Sequence, residues 1–209
     1  GPAGQVTAID IATKEYGAPI TLGEASETIA NSPLGQMIDF HYETDFLQFP
    51  IEEPFDVVVL SHCSWYFQNA ELLEDYMQKI RAVAKRVCFA EWDIDYMLPS
   101  QRAHFCAANI LALYTAFIED DGNIQNLFHK SHIKKILEST EFTITNEQMV
   151  DASYLQDGQW EVDYSNYLLN EFPQVPAKIQ TLVESFAYLM NEQQEAVLSL
   201  NSFVLCADA

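Results

Sequence analysis

Short apolar runs that end abruptly in polar residues are the clearest pattern along this chain. The run at residues 6–9 is followed by Asp10, and the run at residues 55–60 is followed by Ser61 and His62. Runs this short and rich in Val and Ile are typical of strands that are buried on both faces of a parallel sheet. Ligands of open parallel sheets bind at the carboxyl ends of the strands. Asp10, Ser61 and His62 are therefore the first candidates for a functional site.

The rest of the chain alternates between predicted strands and helices that have one apolar face. Strands are predicted at residues 5–10, 37–42, 55–60, 86–90, 141–150 and 198–206. Helices are predicted to begin near Thr21, Asn69, Ser100, Ser131 and Pro176, and Thr21 forms a capping box with Glu24. Three strand–helix repeats, followed by extra helices and two late strands, favour an α/β sheet with right-handed crossovers.

Two later segments depart from the simple alternation. The predicted helix at residues 101–118 is apolar nearly all round, so it must be covered by the rest of the domain or by a partner chain. Asp157 and Gly158 form a dipeptide that is typical of a hairpin turn.

Composition and charge exclude several kinds of protein. The 209 residues fit one domain, and no apolar run approaches the roughly 20 residues that span a bilayer. Ten basic against 31 acidic residues give a net charge of −21, which repels phosphate backbones and anionic lipids. We therefore expect no nucleic-acid or membrane partner. Cys and His residues show no zinc-binding spacing, so no metal site is predicted, and a reducing cytoplasm fits the scattered cysteines.

Taken in order, these segments resemble the class I S-adenosylmethionine-dependent methyltransferases. The matching segments follow that family's elements from the turn before its second strand to its last strand: residues 1–10, 42–46, 55–67, 86–93, 131–142 and 198–206. Glu141 stands where the family usually has Gly. The resemblance implies an α/β fold with a doubly wound, mostly parallel, Rossmann-like sheet, an antiparallel last strand and added helices.

The resemblance also implies the cofactor S-adenosylmethionine and the residues that bind it. Asp10 would hold both ribose hydroxyls, a task that suits a carboxylate, and Ile11 would lie beside the adenine. Asp45 would meet the adenine amino group, and Phe46 would pack on the ring. Ser61 would lie close to the sulfonium centre.

The candidate catalytic residues are His62, Tyr66 and Glu91. His62 follows a strand and titrates near neutrality, which suits a general base, although a lone His is more often a structural residue. Tyr66 would border the transfer site. Glu91 lies at the end of the segment that resembles the family's fifth strand. No Gly-x-Ser-x-Gly motif surrounds Ser61, which argues against a hydrolase.

One part of the family pattern would precede Gly1: the first strand and its glycine-rich loop. A fragment of a longer protein, a shortened domain, and a strand supplied by a second copy would each account for this. We predict one domain over residues 1–209, with helical insertions at 100–120 and 154–197 that form either a substrate lid or a self-packing or dimer-forming layer.

Two functions from different classes fit the sequence. The first is an enzyme that transfers a methyl group from S-adenosylmethionine to a small-molecule acceptor. The second is a non-catalytic domain of the same fold that acts in self-association, as a homodimer, or in protein interaction. The fold alone does not choose between them.

Overall fold

The computed structural model describes residues 4–120, 122–192 and 195–209. Residues 1–3 of the turn predicted at residues 1–4, and positions 193 and 194 of the predicted helical insertion, lie outside the described residues. By their internal contacts, the residues form two compact units, Gly1–Glu53 and Pro54–Ala209. Along the described ranges, no helix is both long and apolar enough to cross a membrane.

The first unit is a parallel strand pair with one helix between the strands. Strand β1 (Val6–Ile9) pairs with β2 (Ile38–His41). Helix α1 (Leu22–Ala30) connects them, and its capping box is confirmed. The Glu24 N–H donates to Oγ1 of Thr21 (3.2 Å), and the Thr21 N–H donates to Oε2 of Glu24 (2.9 Å). The unit is therefore a strand–helix–strand repeat of the kind that builds a parallel sheet.

The second unit holds a four-stranded mixed sheet and five helices among its described residues. In chain order its elements are β3 (Val58–Ser61), α2 (Ala70–Val83), β4 (Arg86–Trp92), α3 (Arg102–Phe117), α4 (Lys130–Ser139), β5 (Thr143–Val150), α5 (Asp157–Leu168), α6 (Ala177–Asn191) and β6 (Ser202–Asp208). The strand order is β3-β4-β6-β5. Strands β3 and β4 are parallel, whereas β6 is antiparallel to both β4 and β5, so the predicted antiparallel last strand is confirmed.

Helix α3 lies at the centre of a helical layer, which explains why its sequence is apolar nearly all round. Helices α5 and α6 both pack on it. The hydroxyl of Ser165 on α5 donates to the Ala107 carbonyl of α3 (3.2 Å). Trp65 and Trp92 belong to the same buried cluster. Helix α3 is therefore covered by other helices of this chain.

The predicted hairpin at Asp157 and Gly158 is wrong, because helix α5 begins there. Gly158 is needed for close packing rather than for a turn. Its N–H donates to Oγ of Ser199 (2.9 Å), and a Cβ at this position would lie 3.1 Å from Nδ1 of His104. The dipeptide pattern does not distinguish these two uses of glycine.

Glu141, which stands where the resembled family usually has Gly, adopts the left-handed backbone conformation. Its φ is 64°, directly after helix α4. The Phe142 N–H donates to the Leu137 carbonyl (2.9 Å), and the Glu141 N–H donates to the Glu138 carbonyl (3.1 Å). These two bonds define a Schellman motif, in which glycine is the preferred residue at the left-handed position.

Candidate active site

In the first unit, the exits of the two parallel strands lie side by side. Asp10 follows β1, and its N–H donates to the His41 carbonyl at the end of β2 (2.9 Å). The Thr44 N–H in turn donates to the Asp10 carbonyl (3.0 Å). These backbone bonds hold Asp10 against the loop that leads to Asp45, so the two acids predicted to bind the nucleoside belong to one edge of the strand pair.

The side chains at this edge combine fixed carboxylates with exposed apolar groups. Oδ1 of Asp10 accepts from the Ala12 N–H (2.8 Å), and Oδ1 of Asp45 accepts from the Leu47 N–H (2.9 Å). Each acid is thereby held by its own turn. Ile11 is 72% exposed, while Phe46 is half-buried. Carboxylates next to exposed apolar surface suit a ligand that has hydroxyl groups and a flat ring.

In the second unit, His62 occupies a strained position at the exit of β3. Its φ is 51°, and its N–H donates to the Ala90 carbonyl of β4 (2.9 Å). A residue other than Gly rarely adopts positive φ, and such positions concentrate at functional sites. The ring meets Trp92 edge-on at a centroid distance of 4.3 Å. Its Nε2 lies 3.1 Å from Oγ of Ser202 on β6.

Glu91 lies beside His62 as a buried carboxyl group. It is 1% exposed. Oε2 accepts from the backbone and the hydroxyl of Ser64 (2.9 and 2.7 Å), and Oε1 accepts from the Trp92 N–H (2.9 Å). Burial raises the pKa of Glu91 to about 7, and the hydrogen bonds from Ser64 and Trp92 oppose that rise only in part.

Oε1 of Glu91 is 3.6 Å from Nδ1 of His62. Within the described ranges, this Nδ1 is buried and has no hydrogen-bond partner. Burial lowers the pKa of His62; His104 acts in the same direction, and Asp157 opposes it. The imidazole is therefore neutral near pH 7 and able to accept a proton. Ser202, His62 and Glu91 together form a short polar chain at the strand exits, with the titratable groups next to one another.

The other predicted residues of this unit differ in exposure. Ser61 is exposed at the end of β3, and Tyr66 is 48% exposed in the helical turn Ser64–Tyr66. Trp65 in the same turn is 2% exposed and belongs to the core. The structure thus brings Ser61, His62 and Glu91 to the exits of β3 and β4, with Tyr66 in the turn that follows.

Sequence reasoning missed His104, Glu161 and Ser202. His104 is fully buried; its Nδ1 accepts from the Leu200 N–H (2.8 Å), and its Nε2 lies 2.9 Å from Oε2 of Glu161. The Trp92 ring contacts both His104 (5.2 Å between centroids) and His62. A polar residue inside an apolar helix was the one available signal for His104, because such residues are informative when buried. Ser202 carries no comparable signal.

No protein-family model matches the chain. A methyltransferase, phomM' of Diaporthe leptostromiformis, is 31% identical over 130 residues, which cover 54% of this chain and 34% of that relative. The chain thus spans about a third of the length of the curated relatives it matches.

Solved structures resemble the chain over its whole length. A cyclopropane-fatty-acyl-phospholipid synthase-like protein from Lactobacillus casei is 30% identical, with a TM-score of 0.84, and the match covers 100% of this chain and 77% of that one. Mycolic acid cyclopropane synthase CmaA1, solved with SAH, shares the fold at 13% identity, a TM-score of 0.50, and coverage of 99% of this chain and 78% of that one.

The mixed sheet, the reversed last strand and these matches define a Rossmann-like methyltransferase fold. The predicted fold class is therefore confirmed. The chain belongs to the class I S-adenosylmethionine-dependent methyltransferases.

Proposed function

We propose that this chain binds S-adenosylmethionine and transfers its methyl group to a small-molecule acceptor. The observation that carries the proposal is the edge of the parallel pair in the first unit, where Asp10 is bonded to the loop before Asp45. An exposed carboxylate at this edge fits the class of protein to which the chain belongs. CmaA1, which shares the fold, was solved with SAH, the demethylated form of this cofactor.

The residues of the first unit suit the nucleoside part of the cofactor. We assign the ribose hydroxyls to Asp10, because a carboxylate accepts two hydrogen bonds from neighbouring hydroxyls. Asp45 would accept from the adenine amino group. The exposed Ile11 and the half-buried Phe46 offer apolar contacts to the ring. The turns that fix both carboxylates reduce the entropy that binding must overcome.

The residues of the second unit suit the acceptor. The bound cofactor supplies an electrophilic methyl group, so the protein's main tasks are to position the acceptor and to receive its proton. His62 is neutral at pH 7 and would take this proton, and the ionised form of Glu91, at 3.6 Å, would stabilise the resulting imidazolium. Ser61 would lie near the sulfonium, and the exposed Tyr66 would border the acceptor.

Calorimetric titration with S-adenosylmethionine and with S-adenosylhomocysteine tests the nucleoside site without knowledge of the acceptor. Asp10→Ala should weaken binding about 100-fold, since it removes hydrogen bonds to a charged group that are worth about 3 kcal/mol. Asp39→Ala is the matched control, because it removes an exposed carboxylate of β2, in the same unit. The control should bind as the unmodified chain does.

Two results would contradict the proposal. Equal weakening by both substitutions would show that general charge, and not the Asp10 carboxylate, governs binding. No heat with either nucleoside would favour the second predicted function, a non-catalytic domain that acts through self-association or protein interaction.

A further inference from the structure

Two cysteines face each other across neighbouring strands of the second unit. Cys88 on β4 and Cys206 on β6 are direct partners in the register of the antiparallel pair. Their sulfur atoms are 3.0 Å apart, and both side chains are half-buried. This distance exceeds the roughly 2.05 Å of an S–S bond and permits an S–H···S hydrogen bond. The two thiols lie about an ångström from the geometry of a disulfide.

The hydrogen-bond pattern of the strands shows that the backbone suits a cross-link. The Asp93 N–H donates to the Asn201 carbonyl (2.7 Å), and the Ala209 N–H donates to the Lys85 carbonyl (2.9 Å). Hydrogen-bonded pairs alternate with non-hydrogen-bonded pairs along an antiparallel ladder. The Cys88–Cys206 pair is an odd number of steps from both bonded pairs, so it is a non-hydrogen-bonded pair.

Residues in such a pair have their Cα atoms about 4.5 Å apart and their side chains closest together. Disulfides form at Cα separations of about 4.4–6.8 Å. The strand register therefore places the two cysteines at the short end of the permitted range, with no backbone rearrangement needed to bring the sulfurs together.

We propose that Cys88 and Cys206 form a reversible disulfide site that reacts with low-molecular-weight disulfides such as oxidised glutathione. One protein thiolate attacks a glutathione sulfur, which forms a mixed disulfide and releases one glutathione thiolate. The second protein thiolate then attacks the protein sulfur of that mixed disulfide and releases the other glutathione. The protein loses two protons and two electrons, and one oxidised glutathione becomes two reduced molecules.

The surroundings of the pair set the conditions for this reaction. Burial, together with the hydrogen bond to Cys206, raises the pKa of the Cys88 thiol to about 11. Arg86 opposes this rise, but it is paired with Asp208 at 2.6 Å. Because the thiolate is the reactive form, attack by Cys88 is slow near pH 7 and accelerates about tenfold per pH unit below that pKa.

Mass spectrometry of the native chain after incubation with oxidised glutathione tests the site. The chain should lose the mass of two hydrogen atoms and two of its four thiols, and its digest should contain a Cys88–Cys206 linked peptide. Reductant should restore both thiols. In denaturant the preference for the Cys88–Cys206 linkage over other cysteine pairs should vanish, because the two residues are 118 positions apart along the chain.

Serine variants distinguish the pair from the other cysteines. Cys63→Ser and Cys106→Ser should still form the cross-link, whereas Cys88→Ser and Cys206→Ser should lose it. The proposal is overturned by four unreacted thiols in the native chain, by a mixed disulfide with glutathione that never closes, or by a linkage through Cys63 or Cys106. Each of these three outcomes can be observed with the unmodified chain alone. The test therefore remains valid even if one of the serine variants fails to fold.

Discussion

Replacing the buried Glu91 by Gln should change how the stability of the second unit depends on pH. The carboxyl group is 1% exposed and accepts hydrogen bonds from Ser64 and from the Trp92 N–H. Burial, the largest cause, raises its pKa from 4.5 to about 7. Gln keeps the shape of the side chain but has no titration in this range. The substitution therefore removes the titration of this buried carboxyl group.

The sign and size of the effect follow from proton linkage. Between about pH 4.5 and pH 7, the folded chain holds a proton on Glu91 that the unfolded chain has released. The contribution of Glu91 to the free energy of unfolding is therefore full below pH 4.5 and falls as pH rises through 7. A pKa rise from 4.5 to about 7 corresponds to about 3 kcal/mol over the whole pH range.

Urea unfolding of both chains at about pH 5 and about pH 8 measures this contribution. The Glu91→Gln chain should gain about 2.5 kcal/mol relative to the unmodified chain between the two pH values, because Glu91 of the unfolded chain is already mostly ionised at pH 5. Comparing the chains at each pH cancels the titration of the other acidic residues. Glu138→Gln makes the same chemical change at an exposed position of α4, and the difference it produces should be small. A Glu91→Gln difference that is independent of pH would refute the reasoning.

Two further substitutions test backbone geometry, and urea unfolding measures both. Glu141→Gly should stabilise the second unit by about 1 kcal/mol, because a residue with a Cβ is strained in the left-handed conformation. Glu141→Ala keeps the Cβ and should give no such gain. An equal gain from both substitutions would count against strain as the cause. Gly35→Ala should destabilise the first unit by about 3 kcal/mol, because its Cβ would lie 2.2 Å from the Ala30 carbonyl oxygen. Gly4→Ala, whose Cβ would meet no atom within 4 Å, is the control, and equal losses from both would contradict the steric explanation.

Much of the fold could be predicted because local pattern and tertiary structure agree. The apolar runs before Asp10 and Ser61 are strands β1 and β3, and the capping box at Thr21 begins helix α1. Glu24 at the third helical position is a signal that needs no tertiary information. Where the physical cause of an element lies within a few residues, the sequence alone is sufficient to find it.

The details of the candidate site depended on contacts between distant residues. The pair of His104 and Glu161 joins helices α3 and α5, and neither helix shows this partner in its own pattern. The sequence predicts a turn at Gly158 because the close contact of this residue with His104 comes from a helix far away along the chain. Buried polar groups almost always have hydrogen-bond partners, so a single sequence can predict that a partner exists. Which residue is the partner depends on how distant elements pack, and the sequence does not show this.

The direction of β6 connects the candidate active site with the cysteine pair. Because β6 is antiparallel to β4, its first residue, Ser202, pairs with Trp92 at the edge where β4 ends. This places the Ser202 hydroxyl within 3.1 Å of His62. The same register, four residues further along, sets Cys206 opposite Cys88. A parallel β6 would begin at the opposite edge of the sheet, and Ser202 would then be a strand length away from His62. The reversed strand is therefore the feature that brings Ser202 to His62 and also aligns the two thiols.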